Sequence, residues 1–150
     1  MAEQLPLPLK KNIRDFEPKM VENLRRIKEA SGVEYALEIK PGFGVINDKV
    51  TVPHQKNRTA EILYTGMLDS IARMFTEQCE DSMVKEALVE ATSGKKIILE
   101  MCDDISPNMP GIGMKQQILF ADGCLVVKFK AEHIWTNTTN LVPFKFETLL

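Results

Sequence analysis

The chain is poor in the groups from which most enzymatic chemistry is built. Its 150 residues include two histidines, His54 and His133, and three cysteines, Cys79, Cys102 and Cys124. An odd number of cysteines excludes a fully paired set within one chain, and without a C-x-x-C there is no spelled-out zinc or redox pair. They read as buried reduced thiols. Neither histidine has an acidic and a nucleophilic neighbour at a recognisable spacing, so each reads as solvent-facing or structural rather than catalytic. No G-x-x-x-x-G-K-[ST] phosphate loop occurs. Gly42-Phe43-Gly44 and Gly111-Ile112-Gly113 lack the third glycine and the following helix of a dinucleotide fingerprint, and Lys95-Lys96 reads as a solvated strand end. No catalytic residue and no cofactor is indicated.

A basic excess is also missing. With 19 Lys and Arg against 21 Asp and Glu, the formal net charge is −2. Binding to nucleic acid needs concentrated cations to release counterions, so no nucleic-acid partner is expected. No apolar run approaches the roughly 18–20 residues of a membrane span, and the opening MAEQLPLPLKK lacks a signal-peptide core. The expectation is a cytoplasmic protein without a membrane span, in which the triplets Asn57-Arg58-Thr59 and Asn137-Thr138-Thr139 go unused as glycosylation sites.

What is present is the material for a core, since 44% of the residues are apolar. A chain of this length buries roughly 68–70% of its unfolded surface, enough for one domain without staples. Residues 1–12 are expected to be a flexible tail and 13–150 a single α+β domain. Within the tail, Leu5-Pro6-Leu7-Pro8-Leu9 favours polyproline geometry, either as plain tail or as a ligand for an aromatic groove. Asp15 is the expected N-cap of a first helix, with Pro18 in its opening turn. Phe16, Met20, Leu24 and Ile27 recur at helical spacing, and Gly32 supplies a left-handed stop.

Beyond Gly32, Val33, Tyr35, Leu37 and Ile39 alternate with Glu34, Ala36, Glu38 and Lys40, the pattern of a half-buried strand. Pro41-Gly42 then suggests a turn into a second strand over Phe43 to Val52, making a hairpin. From Thr59 the period becomes helical. Ile62, Leu63, Met67, Ile71, Met74 and Phe75 form one stripe, and a break at Gln78 to Asp81 precedes Val84, Ala87, Leu88 and Ala91. One long bent helix or two collinear ones are expected. A third strand covers Ile97 to Cys102, and Gln116 to Ala121 and Cys124 to Ala131 flank Asp122-Gly123, the strongest hairpin signal in the chain. The fold class expected is therefore α+β, with a mostly antiparallel sheet of five or six strands, a first helix and a long second helix.

Three features carry the functional expectations. Ala60, Tyr64, Leu68 and Ala72 widen the apolar band of the long helix beyond what one sheet face needs, so that flank wants a second partner: another chain, the first helix or the C-terminal tail. Tyr64, Leu68 and Ala72 are accordingly the candidate partner-binding residues. Asp103-Asp104, opening the Gly/Pro loop 103–113, offers oxygen ligands which, together with His54 or His133, would make a small-ligand or metal-binding protein or an enzyme, although the ligand alternation of a calcium loop is absent. The third is a possible cytoskeletal or membrane-surface contact through the N-terminal basic residues. Trp135 is either a core side chain or an exposed anchor, and the structure of 132–150 is left open.

Met20-Val21-Glu22-Asn23-Leu24-Arg25-Arg26-Ile27 with Gly32-Val33-Glu34-Tyr35-Ala36-Leu37, and Lys115-Gln116-Gln117-Ile118-Leu119-Phe120-Ala121-Asp122-Gly123 with Cys124-Leu125-Val126-Val127, resemble the opening and closing segments of the Roadblock family of dynein light chains. The resemblance covers about residues 17–131. It implies a profilin-like, Roadblock-like order α-β-β-α-β-β-β and a non-enzymatic adaptor that forms a homodimer or heterodimer by pairing long helices and joining sheets, in contact with dynein subunits or small GTPases. The proline-rich loop and the strand-like Asn140 to Leu150 depart from that family's pattern.

Overall fold

The computed structural model describes residues 5–103 and 116–130, together with Phe146 and Leu150. It opens on α1 (Leu7–Ser31), whose N-cap is Pro6 and whose first turn carries Pro8. A proline at that end costs no helical hydrogen bond because the first amides have no intrahelical acceptor. Residues Leu7 to Asn12, expected to be tail, are thus the first turns of the helix, and the polyproline reading of Leu5 to Leu9 is replaced. The physical reason is Leu9, which is fully buried. It lies on the same helical face as Phe16, Met20, Asn23 and Ile27, so the apolar stripe starts two turns earlier than Asp15 suggests. Gly32 ends α1 at φ 77°, donating its N–H to the Lys28 carbonyl at 2.7 Å.

β1 (Ala36–Lys40) follows, but the expected second strand does not. Phe43 to Lys49 form α2 instead. Phe43, Ile46 and Val50 also satisfy a helical period, and Ile46, Asn47 and Val50 are buried while Val45 is exposed, which is helical rather than alternating burial. The Asn47 side chain then organises the return of the chain. Its Oδ1 accepts the Asn57 N–H at 2.7 Å, and its carbonyl accepts Lys56 Nζ at 2.6 Å. A 3₁₀ turn, Pro53–Gln55, lies between.

The long helical segment is one rod in three parts: α3 (Thr59–Ile62), a π turn (Leu63–Met67) and α4 (Leu68–Gln78). It stops at Cys79, and α5 (Ser82–Ala91) restarts from Asp81, whose carboxylate accepts the Met83 N–H at 2.9 Å and the Val84 N–H at 3.4 Å. Capping of this kind satisfies amides that the first turn leaves unpaired.

The sheet comprises β1, β2 (Lys96–Met101), β3 (Gln116–Ala121) and β4 (Cys124–Phe129) in the order β1-β2-β4-β3. β1 runs parallel to β2 and β2 parallel to β4, and β3 alone is antiparallel, to β4. This overturns the mostly antiparallel sheet of five or six strands and, with α2 in place of a strand, the order α-β-β-α-β-β-β. The cause is the connection. Residues 43–91, mostly helical, make the long crossover that a parallel pair needs, and they bring the chain back to the starting end of β1, where the Ala36 N–H donates to the Lys95 carbonyl at 2.9 Å. The β3–β4 hairpin does follow its turn residues: Asp122 and Gly123 both have positive φ, at 52° and 75°. Its turn backs onto the α5–β2 turn, where the Gly94 N–H donates to the Gly123 carbonyl at 2.8 Å.

One face of the sheet carries the core. Ile97, Leu99, Ile118, Leu125, Val127 and Phe129 meet Leu63, Met67, Ile71, Met74 and Phe75 of the rod in one buried cluster. Phe146 completes it, with its ring 5.4 Å from Phe75 and 6.1 Å from Phe120 between centroids, and its N–H donating to Gln78 Oε1 at 2.7 Å.

Candidate functional site

Among the described residues, those singled out from sequence fall at separate places: Tyr64, Leu68 and Ala72 in the core, and His54 and Asp103 at the surface. Tyr64, Leu68 and Ala72 are 6%, 0% and 0% exposed, lying where α1 packs along the rod. The second flank of the wide apolar band therefore has its partner inside the same chain, and these three side chains present no surface to another. Asn23 of α1 marks the join, donating from Nδ2 to the Tyr64 carbonyl at 2.8 Å within the π turn. A π turn widens the helical hydrogen-bond ring and disturbs the regular ladder locally, so a side chain from α1 supplies a partner there. The Tyr64 ring meets Phe43 edge-on at 5.7 Å, and burial, with Glu17 as a lesser contributor, pushes its phenol up to about 12.

His54 is exposed on the 3₁₀ turn, and Asp103 is exposed at the end of β2. Asp104, the rest of the 103–113 loop, His133 and Trp135 lie outside the described residues, as does most of 132–150. Among the described residues no group of three or more His, Cys, Asp or Glu side chains is placed to hold a metal ion. Cys79 is buried, Cys102 and Cys124 are half-buried, and all three are free thiols; burial pushes the Cys79 and Cys102 thiols up. No described helix is long and apolar enough to cross a membrane.

The surface that does have an organised chemistry is the outer face of the sheet, turned away from the helices. The strand registers set it out as three rows running across β1, β2, β4 and β3. The first row is Ala36, Lys96, Cys124 and Ala121, the second Glu38, Ile98, Val126 and Leu119, and the third Lys40, Glu100, Lys128 and Gln117. Ile98, Val126, Leu119, Ala121 and Cys124 lie within a shallow hollow of about 330 Å³ on this face. A small apolar centre is thus bordered by charge. Ile98 and Val126 are already screened, at 8% and 6% exposure, while Leu119, Ala121 and Cys124 are half-buried.

Charges on this face are unevenly satisfied. Glu38 Oε2 pairs with Lys96 Nζ at 3.3 Å, and its Oε1 lies 4.0 Å from Lys40 Nζ. Glu100 and Lys128 stand opposite one another across the β2–β4 ladder, yet neither makes an ion pair within 4 Å among the described residues. Two opposite charges are thus held side by side and aimed outward.

Sequence alone carried part of this signal. Glu38, Lys40 and Glu100 are visible as the polar positions of alternating strands, and Ile98 as an apolar residue on such a face. Which residues stand beside one another depends on the order β1-β2-β4-β3, which no local pattern encodes. No family model, no curated protein and no solved structure matches the chain.

Proposed function

We propose that this protein is a non-enzymatic interaction module, an adaptor that takes protein partners on the outer face of its sheet. One observation carries the reading: the half-buried Leu119, Ala121 and Cys124 line a shallow hollow floored by the buried Ile98 and Val126, with Glu38, Lys40, Lys96, Glu100 and Lys128 around it. Protein-binding patches combine a modest apolar core with a charged rim that sets orientation and rejects wrong partners. The helix flank at Tyr64, Leu68 and Ala72 no longer contributes, because α1 covers it. The dynein and small-GTPase association implied by the Roadblock resemblance forms no part of this proposal, and the element order of that resemblance is replaced by the observed sheet.

The test uses Leu119→Lys and Ala121→Lys, both at half-buried positions on the outer face, in the full chain. Proximity labelling or co-purification should recover a set of proteins with the wild type and lose them with either variant, at matched melting temperatures. An unchanged set of partners with folded variants would remove the outer face from the proposal.

A further inference from the structure

We infer that β1 is an open margin of the sheet that takes an extended segment of another protein as an added strand, a second docking surface separate from the outer face. The order β1-β2-β4-β3 leaves β1 and β3 at the margins. β3 is closed where it begins, with Gln116, Gln117 and Ile118 at 2%, 2% and 1% exposure. β1 is not. In a parallel pair a strand bonds its neighbour through alternate residues, and the bond from the Ala36 N–H to the Lys95 carbonyl fixes which ones. The backbone of Ala36, Glu38 and Lys40 faces β2, so the N–H and C=O groups of Leu37 and Ile39 point away from the sheet, and among the described residues nothing pairs with them.

Burial agrees with the bonding. Leu37 and Ile39 are only half-buried, whereas Ile97 and Leu99, in register with them on β2 and on the same core-facing side, are fully buried. The apolar layer beneath the sheet thus runs out at the margin where the hydrogen-bond ladder does. At the head of the strand this margin opens into a hollow of about 590 Å³ lined by Gly32, Val33, Glu34, Tyr35, Ala36 and Lys95.

These features specify the occupant. A line of alternating donors and acceptors is matched by another extended backbone; main-chain bonds then give affinity and alternate side chains give selectivity. Antiparallel pairing, the stronger geometry, opposes one partner residue to each of Leu37 and Ile39 through both its N–H and its C=O. Those two side chains fall beside Leu37 and Ile39 on the core-facing side, so they are apolar. The residue between them faces Glu38 and the one preceding them faces Lys40, so these are basic and acidic. The segment therefore reads acidic, apolar, basic, apolar from its N-terminal end, and the chain after it runs toward the hollow beside Tyr35. Glu38 holds Lys96 at 3.3 Å and Lys40 at 4.0 Å, surface contacts that an incoming strand rearranges at little cost. A second copy is the poorer occupant: pairing its own β1 through both residues sets Glu38 against the partner's Glu38, and like charges directly opposite are destabilising. Charges along a margin also reject unmatched strands, which makes this one selective.

Fluorescence anisotropy of the full chain with the dye-labelled peptide Glu-Val-Lys-Val-Thr-Val tests it. Saturable binding is expected below about 1 mM. Methylating the backbone nitrogens of the first two valines removes the donors and leaves the side chains, and should weaken binding by more than about tenfold. Exchanging the acidic and basic residues of the peptide should weaken it about fivefold, and the double variant Glu38→Lys with Lys40→Glu should prefer the exchanged peptide. Hydrogen exchange gives the structural readout: the Leu37 and Ile39 amides should exchange readily in the free chain and become protected at saturating peptide, while those of Ile97 and Leu99 stay protected throughout. Absent binding at about 1 mM, equal binding of the methylated peptide, or protection of the Leu37 and Ile39 amides in the free chain overturns the inference. Protection that rises with protein concentration alone puts a second copy on the margin and overturns the choice of occupant. Leu119→Lys alters the outer face and should bind the peptide as the wild type does; loss of binding there assigns the peptide to the outer face, which overturns this inference and leaves the adaptor reading standing.

Discussion

Replacing Gly94 by alanine probes the contact that aligns the two central strands. A Cβ at this position would lie 2.7 Å from the Gly123 carbonyl oxygen and 3.2 Å from its carbon. Both obstacles are backbone, so no rotamer change relieves them. Gly94 has no left-handed φ, and the whole cost is therefore steric. Separating the turns enough to admit a methyl group costs about 1–3 kcal/mol of overpacking. The same movement weakens the 2.8 Å bond from the Gly94 N–H to the Gly123 carbonyl, worth about 0.5–1.5 kcal/mol. Restricting the unfolded chain returns about 0.4–1 kcal/mol. The net expectation is a loss of about 2 kcal/mol, or roughly 4–8 °C in Tm for a chain of this size. Urea unfolding followed by circular dichroism measures it. Gly32 is the control: at φ 77° with nothing within 4 Å of where a methyl group would sit, its replacement by alanine meets only backbone strain, about 1–2 kcal/mol. Gly32→Asn should recover much of that loss, because asparagine tolerates the left-handed region, whereas Gly94→Asn should be worse than Gly94→Ala. A Gly94→Ala protein within about 0.5 kcal/mol of wild type would refute the reasoning, since surface substitutions without a structural role fall in that range.

Phe146→Ala should cost about 3–5 kcal/mol, because a fully buried ring against Phe75 and Phe120 is removed; a melting curve unchanged from wild type would contradict its place in the core. Asn23→Ala leaves the Tyr64 carbonyl without its 2.8 Å donor and should lose about 1–3 kcal/mol by denaturant titration, with hydrogen exchange rising around the π turn. The phenol of Tyr64 is raised from 10 to about 12, so stability is fully present below pH 10 and falls as the pH rises toward 12, when the unfolded chain ionises and the folded one resists. A rise of that size corresponds to roughly 2–3 kcal/mol at most, and Tyr64→Phe should flatten that alkaline limb while absorbance near 295 nm loses its late-titrating component. Tyr35, also raised by burial, retains a smaller slope of the same sign in that variant.

Features with a local cause were legible in the chain before any coordinates. Gly32 stops α1 and Asp122-Gly123 turns the hairpin, each because a backbone conformation is needed at that position, and the break at Gln78 to Asp81 was visible although the capping role of Asp81 was not. Phe43 to Val50 was ambiguous, since its apolar residues fit a period of 2 and one of 3.6, and burial of Ile46 and Asn47 decides for the helix. Pro6 and Pro8 pointed to extended chain, but at a helix start they occupy the positions where a missing donor is harmless. The surplus width of the apolar band was real, yet its cover is α1, and only tertiary packing distinguishes a neighbour in the same chain from one in another. The outer face was visible as single polar residues and became a surface only through the strand order.

That strand order also bears on how the protein is made. β2 and β4 form the centre of the sheet, but β4 is the last of the four strands to be synthesised, and β1 waits for nearly sixty residues before its neighbour exists. Leaving the ribosome, the rod carries Leu63, Met67, Ile71 and Phe75 with no sheet to receive them. Long-range pairings of this kind fold slowly and leave sticky intermediates, so the nascent chain is a natural client for holdase chaperones until β4 and then Phe146 have emerged. Stalled chains ending before β4 and after Phe146 should differ sharply in protease resistance.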